Sequence, residues 1–325
     1  METRRVGSLE VSVLGLGCTN FGKRTDEAQS AAIVRAALEE GITFFDVADT
    51  YGYTLGEEYL GRALGRQRDE VVLATKFGQA IDDVRRGASR DYVRRAVEDS
   101  LRRLRTDRID LYQLHLPDPE VPIAETLEAL DALVRAGKVR EIGCSNFDAA
   151  QLLQADAAAR AASLPRARFV SVQNEYSLLQ REPERDVLAT CARLGIAFIP
   201  YYPLSAGLLT GKFRRGLPPP PGTRVGTGSA SGRLTAEALD RVEALAAFAG
   251  TRGRTLLELA ISWLLTRPVA SVIAGAMTPG QLRATVAAAG WRLSSAELAA
   301  VDAIAPPPSG REDGADPLAR AGDAG

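Results

Sequence analysis

Asp110-Leu-Tyr-Gln-Leu-His115, followed at once by Leu116-Pro117-Asp118-Pro119, is a short apolar strand that ends on the only histidine of the chain. Two earlier runs end the same way. Thr43-Phe-Phe-Asp46 leads into Tyr51-Gly52, and Val71-Val-Leu-Ala-Thr-Lys76 leads into Phe77-Gly78. Asp46, Tyr51, Lys76 and His115 therefore stand one after another at the ends of successive strands. A barrel of parallel strands would bring those ends to one face. Asp, Lys, Tyr and His in one pocket make a proton-donating site: a lysine ammonium lowers the pKa of a tyrosine, and an aspartate keeps that lysine charged.

Outward from that stretch, strand and helix alternate along the whole chain. Residues 4–13 read as a hairpin leading to a first strand that ends near Gly17. Further strands are predicted at 42–46, 71–76, 110–115, 139–144, 169–174, 197–202 and 271–275. Helices are predicted at 26–40, 57–64, 91–104, 122–136, 148–161, 184–194, 235–250, 255–266 and 279–288. The strands are short and rich in Val, Ile, Leu and Phe, as strands covered on both faces should be. Ser89 caps the helix that starts at Asp91, and Pro122 and Gly137 bracket the next. Eight βα units predict an α/β fold, a (β/α)8 TIM barrel with an N-terminal β-hairpin and extra helices after strand seven and at the C-terminus. The barrel is expected to fill residues 1–305 as a single domain. Residues 306–325 lack apolar periodicity and read as a disordered tail. The stretch 205–234, with Pro218-Pro-Pro-Pro221 and many Gly and Ser, is a long loop after strand seven, where barrels often bind phosphate.

Composition narrows the function classes. Apolar residues make up 46% and charged residues 25% of 325, which suits a globular chain with a large core. A net charge of -1 argues against nucleic acid or anionic membrane as partner. There is no apolar window long enough for a membrane span, and Met1-Glu-Thr-Arg-Arg-Val lacks the apolar stretch of a signal peptide. Cys18, Cys144 and Cys191 are too few and too scattered for a disulfide framework or a zinc site, so no metal is expected and a cytoplasmic location fits. Lys occurs only at 23, 76, 138 and 212, and Asn only at 20, 146 and 174, in an Arg- and Ala-rich chain. Residues that persist against such a bias are candidates for chemistry, and all three Asn lie at or just after strand ends.

The strand ends together carry Thr19-Asn20, Asp46 and Tyr51, Lys76, His115, Ser145-Asn146, Gln173-Asn174 and Tyr201. Each has an ordinary structural reading. A lone buried His is usually a satisfied core residue, a strand-end Asp is often a helix cap, and a loop Tyr is usually packing. The joint pattern is much harder to explain that way. Gly15-Leu-Gly17 is not a dinucleotide fingerprint: Asn20 stands where the third Gly belongs, and no helix follows directly.

These motifs resemble those of the aldo-keto reductases. The resemblance rests on Phe44-Phe-Asp-Val-Ala-Asp-Thr-Tyr-Gly52, Glu57-Glu-Tyr-Leu-Gly61, Leu73-Ala-Thr-Lys-Phe-Gly78, Asp110-Leu-Tyr-Gln-Leu-His115, Gly143-Cys-Ser-Asn-Phe147, Val172-Gln-Asn-Glu-Tyr176 and Tyr202-Pro-Leu-Ser-Ala-Gly-Leu-Leu-Thr-Gly-Lys212. It runs in order over roughly residues 9–304. It implies reduction of an aldehyde or ketone with NADPH. Tyr51 would be the proton donor, Lys76 would lower its pKa, Asp46 would pair Lys76, and His115 would orient the carbonyl. Ser145, Asn146 and Gln173 would hold the nicotinamide amide, with Tyr201 stacked on the ring. Leu204, Ser205, Gly207 and Lys212 would lie near the pyrophosphate. Thr278, Gln281 and Arg283 would meet the 2′-phosphate end.

Two departures matter. Met277 and Ala284-Thr285 stand where relatives often carry phosphate and adenine contacts, so NADPH should be preferred over NADH by less than a full contact set would give. Thr19 replaces a common Trp, which implies a roomier substrate pocket lined by Phe21, Tyr53, Phe77 and Leu116. Two rival readings remain. One is a cofactor-binding, channel β-subunit-like regulatory protein, disfavoured because no segment precedes the hairpin. The other is a Schiff-base aldolase with Lys76 as nucleophile.

Overall fold

The computed structural model describes residues 1–161, 167–226 and 230–308. The chain opens with an antiparallel hairpin, β1 (Thr3–Val6) and β2 (Leu9–Ser12), turning at Gly7. Eight parallel strands follow: β3 (Leu14–Gly17), β4 (Phe44–Asp46), β5 (Val72–Phe77), β6 (Ile109–Leu114), β7 (Val139–Ser145), β8 (Phe169–Glu175), β9 (Ala197–Tyr201) and β10 (Val272–Ala274). They pair in the order β10-β3-β4-β5-β6-β7-β8-β9. The ring is joined where the Ala270 amide, just before β10, donates to the Phe198 carbonyl of β9 at 2.8 Å. This is the expected (β/α)8 barrel.

The helices lie outside: α1 (Glu27–Glu39), α2 (Leu55–Leu64), α3 (Arg90–Leu104), α4 (Ile123–Arg135), α5 (Ala149–Arg160), α6 (Val187–Leu194), α7 (Ala236–Gly250), α8 (Leu256–Leu265), α9 (Pro279–Ala287) and α10 (Ser295–Ile304). Their starts are chemically marked. Asp26 with Gln29, Asp148 with Gln151, Thr255 with Glu258 and Ser294 with Glu297 each satisfy the first amides reciprocally. Ser89 accepts from the Tyr92 amide, as its position before Asp91 suggests. The predicted helix 184–194 is a 3₁₀ turn at Glu182–Glu184 followed by α6. Two helices, α7 and α8, follow the seventh barrel strand where a βα unit needs one, and α10 is the further helix at the C-terminus. The expected tail lies, from residue 309 on, outside the described residues. Among the described residues no helix is long and apolar enough to cross a membrane.

Apolar burial falls into two bodies. The larger lies between the sheet and the helices and includes Phe45, Leu73, Phe77, Tyr112, Phe198 and Trp263. The smaller fills the barrel: Phe44, Val72, Ala74, Leu111, Ile199 and Ile273 point inward and meet Val6, Leu9 and Val11 of the hairpin. Fully burying such side chains contributes about 1.5–3 kcal/mol each. The hairpin thus plugs the N-terminal end with apolar groups, so polar strand-end residues collect only at the opposite mouth.

Candidate active site

Strand alternation decides what reaches the mouth. Asp46 ends β4, Lys76 lies one residue from the end of β5, and the β5–β6 register sets Lys76 opposite Gln113. Both Asp46 and Lys76 are sealed from solvent. The Lys76 ammonium donates to Asp46 Oδ2 at 2.6 Å, to the Val47 carbonyl at 3.1 Å and to the Tyr51 hydroxyl at 3.4 Å. Gln113 and Gln173 donate to the other oxygen of Asp46 at 3.2 and 2.9 Å. The carboxylate is therefore held from three sides. Burial alone would lower the Lys76 pKa, but Asp46 and Tyr51 outweigh it and the net shift is upward. The lysine stays charged.

Tyr51 follows a tight turn in which its amide donates to the Ala48 carbonyl. Gly52 is left-handed at φ 59°, and a Cβ there would run into the Phe21 carbonyl, so this position needs glycine. Burial raises the Tyr51 pKa, with Lys76 opposing and Asp46 reinforcing the rise. The sequence-based expectation of a net lowering is not met: in this protein desolvation outweighs the ammonium. The phenol consequently keeps its proton at neutral pH. His115 sits across from it, ring centroids 6.0 Å apart and planes at 78°. Burial, reinforced by Lys76, pulls the His115 pKa down to about 3, so the imidazole is neutral. Its Nδ1 is buried with no partner among the described residues.

Beside this group, Asn146 adopts a left-handed conformation at φ 63°. Its amide donates to the His115 carbonyl at 3.0 Å, and its oxygen accepts from the Tyr201 hydroxyl at 2.8 Å. Ser145, opposite Gln173 in the β7–β8 register, donates to the Gln173 carbonyl at 2.7 Å. Asp46, Tyr51, His115, Ser145, Asn146, Gln173 and Tyr201 all line one cavity of about 1040 Å³.

The far side of the cavity is cationic. Arg24 after β3 and Lys212 and Arg224 after β9 line it. Arg24 bonds the Gly222 carbonyl, and Arg224 donates to Asn20 Oδ1 at 2.7 Å, so the long loop reaches across the mouth. Burial lowers the Arg24 pKa, and Arg224 lowers it further. Burial and then Arg24 do the same to Lys212. None of the three has a carboxylate partner among the described residues.

The model of the Aldo/keto reductase family matches residues 13–306. The chain belongs to the aldo/keto reductase family. It is 38% identical over 309 residues to "Aldo-keto reductase YhdN" of Bacillus subtilis, covering 91% of this chain and 90% of that protein. It is 38% identical over 326 residues to "Uncharacterized oxidoreductase YrpG" of the same organism, covering 93% and 94%. It is 33% identical over 340 residues to "Protein tas" of Escherichia coli, covering 94% and 97%. The chain is thus an oxidoreductase of the family that uses nicotinamide cofactors on carbonyl compounds.

Within this aldo/keto reductase most of the expected residues meet at the cavity. Thr19, Leu116, Leu204, Gly207, Lys212, Thr278 and Gln281 line it, as do Met277, Ala284 and Thr285. Five are placed elsewhere. Phe21 and Phe77 are fully buried in the outer core, where Phe77 stacks on Tyr112 at 4.6 Å. Tyr53 is 85% exposed on a left-handed backbone and does not line the cavity. Ser205 is buried and does not line the cavity. Arg283 points across to α1, where it pairs with Glu39 at 2.8 Å and Glu40 at 3.3 Å. Sequence reading also missed Gln113, Arg24, Arg224, Tyr202 and Gln79. Gln113 was accessible to it, two residues before His115 and hence on the same inward face.

Proposed function

We propose that this chain reduces an aldehyde or ketone to an alcohol with NADPH as the hydride source. The observation that carries the reading is a protonated Tyr51 within 3.4 Å of a sealed ammonium and facing a neutral imidazole, in a cavity that Arg24, Lys212 and Arg224 also line. The residues fit a nicotinamide dinucleotide. Ser145, Asn146 and Gln173 supply amide and hydroxyl groups at the floor, Tyr201 supplies a ring, and Arg24, Lys212 and Arg224 supply uncompensated positive charge for phosphates. When bound, the reduced nicotinamide would deliver a hydride to the carbonyl carbon.

The side chains then divide the remaining work. His115, neutral, offers an N–H to the carbonyl oxygen and fixes where that oxygen sits. Tyr51 donates its proton to the same oxygen as negative charge develops there. Lys76 stabilises the phenolate left behind, which is where its charge lowers the barrier. Asp46, fixed by Gln113 and Gln173, keeps Lys76 charged and in place. Met277, Ala284 and Thr285 offer no charge to a 2′-phosphate, so the preference for NADPH over NADH rests on the loop cations.

The aldolase reading needs a neutral lysine amine. Lys76 is locked to Asp46 with its pKa raised, which argues against it. A purely regulatory, cofactor-binding role shares the same residues and is separated by turnover. The test is the loss of reduced-nicotinamide absorbance with a panel of simple aldehydes and ketones. Turnover that needs Tyr51 supports the reading. Tight NADPH binding with no turnover of any carbonyl would favour the regulatory role.

A further inference from the structure

Behind β5, on the side away from the barrel interior, α2 and α3 enclose a second group of buried ionisable side chains. Thr75 points into it because Lys76 points the other way. Thr75 donates to Glu57 Oε1 at 2.6 Å, and Arg103 donates to Glu57 Oε2 at 2.6 Å. Glu57 is fully buried and its charge is matched. Asp49 lies in the same group, buried, yet neither of its carboxyl oxygens has a hydrogen bond of normal geometry among the described residues. The groups that face it are Glu57 from α2, Arg103 from α3, and Lys76 from β5, with the Thr50 amide close enough to ease a charge. Tyr92 of α3 and the unpartnered Tyr112 hydroxyl of β6 also feel its charge. Arg103, the cation on the helix side, is already paired with Glu57. Burial, and next Glu57, push the Asp49 carboxyl up to about 8.

Asp49 stands two residues before Tyr51, and its own amide donates to the Lys76 carbonyl at 3.1 Å. The backbone just beyond Tyr51 is strained: Gly52, Tyr53 and Thr54 are all left-handed. Such a run persists only where its surroundings hold it. We propose that Asp49, carrying its proton, is a positioning residue that packs behind Lys76 and holds the β4–α2 loop so that Tyr51 meets the ammonium, and that loss of the proton loosens that loop. The inference rests on Tyr51 as the acid of the reaction. The sign follows from burial: an ionised Asp49 would be a second negative charge beside Glu57, without a partner of its own.

Three forms of the protein separate this from a merely structural role. With saturating NADPH and aldehyde, wild-type kcat should fall as pH rises through about 8, well before the phenol titrates. Asp49→Asn, which cannot ionise, should keep the alkaline activity that the wild type loses, its limb moving up by at least about one unit. Glu57→Gln frees Arg103 and removes a negative neighbour, so Asp49 should ionise more easily and the limb should move down. Opposite shifts from two neighbouring carboxyls are the expected signature. A second readout needs no turnover. Folding must bind a proton at Asp49, so wild-type stability from this group is full below about 4 and is lost as pH rises toward 8. The Tm advantage of Asp49→Asn should therefore grow across that window. Should Asp49→Asn fail to fold, the downward limb of Glu57→Gln decides alone. If the wild type turns over no carbonyl, the reductase reading falls, while a growing Tm gap would still support a protonated Asp49 and a flat gap would overturn it. An unmoved limb in both variants overturns the proposal.

Discussion

On the floor of the cavity Asp46 and Lys76 stand on neighbouring strands, 2.6 Å apart and closed off from water. On its rim Arg24, Lys212 and Arg224 come from two loops, reach one another across the mouth, and have no carboxylate partner among the described residues. The floor balances its charge internally, so a change there disturbs fold and chemistry together. The rim leaves its charge unbalanced, at some electrostatic cost to the free protein, and that charge is available to a polyanion. The floor suits a proton transfer, the rim the phosphates of a coenzyme.

The largest effect should come from the floor. Tyr51→Phe removes the donor and leaves the ring, so kcat should fall by about 10²–10⁴ while NADPH affinity changes little. Stopped-flow turnover and a fluorescence titration measure the two separately, and a near-normal kcat means that the acid is another group. Lys76→Arg comes next. A planar guanidinium cannot replace a compact ammonium between Asp46 and Tyr51, and overpacking so closed a site costs about 1–3 kcal/mol. A folded but nearly inactive variant is expected. Full activity would make the lysine a replaceable charge.

The rim should respond in binding rather than in kcat. A hydrogen bond to a charged group contributes about 1.5–3 kcal/mol, so Arg24→Ala or Arg224→Ala should weaken NADPH by roughly 10–100-fold. Titration of both coenzymes would show whether NADH suffers less, as it should if one of these cations meets the 2′-phosphate. Equal losses for both would place that charge at the pyrophosphate alone. The smallest effect belongs to Arg283→Ala. It removes an exposed pair with Glu39 and Glu40 worth about 0–1 kcal/mol and should leave coenzyme discrimination untouched. A selective loss of NADPH would return Arg283 to the site.

The same contrast explains what could be read from the sequence. Asp46, Lys76, His115, Ser145 and Gln173 were legible because a parallel βα succession puts every strand end on one face, and only the hairpin had to close the other. Phe77 was misread because strand alternation was not carried one residue further: if Lys76 faces inward, Phe77 must face the helices. Arg283 lies off the lining for a similar reason. Thr278, Gln281, Ala284 and Thr285 share one face of α9, and residue 283 lies about 200° around the helix from 281. Tyr53 and Ser205 sit on left-handed non-glycine backbone, which local sequence does not announce. Arg24 and Arg224 depend on how two loops meet in space, and periodicity holds no information about that. The Tyr51 pKa was misjudged because a neighbouring charge can be read from motifs, whereas the depth of burial that opposes it comes only from packing.

A crystal structure with NADP⁺ and a substrate analogue tests the division of labour most directly. The account predicts the nicotinamide amide on Ser145, Asn146 and Gln173, the analogue oxygen within hydrogen-bond reach of both Tyr51 and His115, and the phosphates among Arg24, Lys212 and Arg224. An analogue oxygen away from Tyr51, or phosphates that leave those three cations in water, would contradict it.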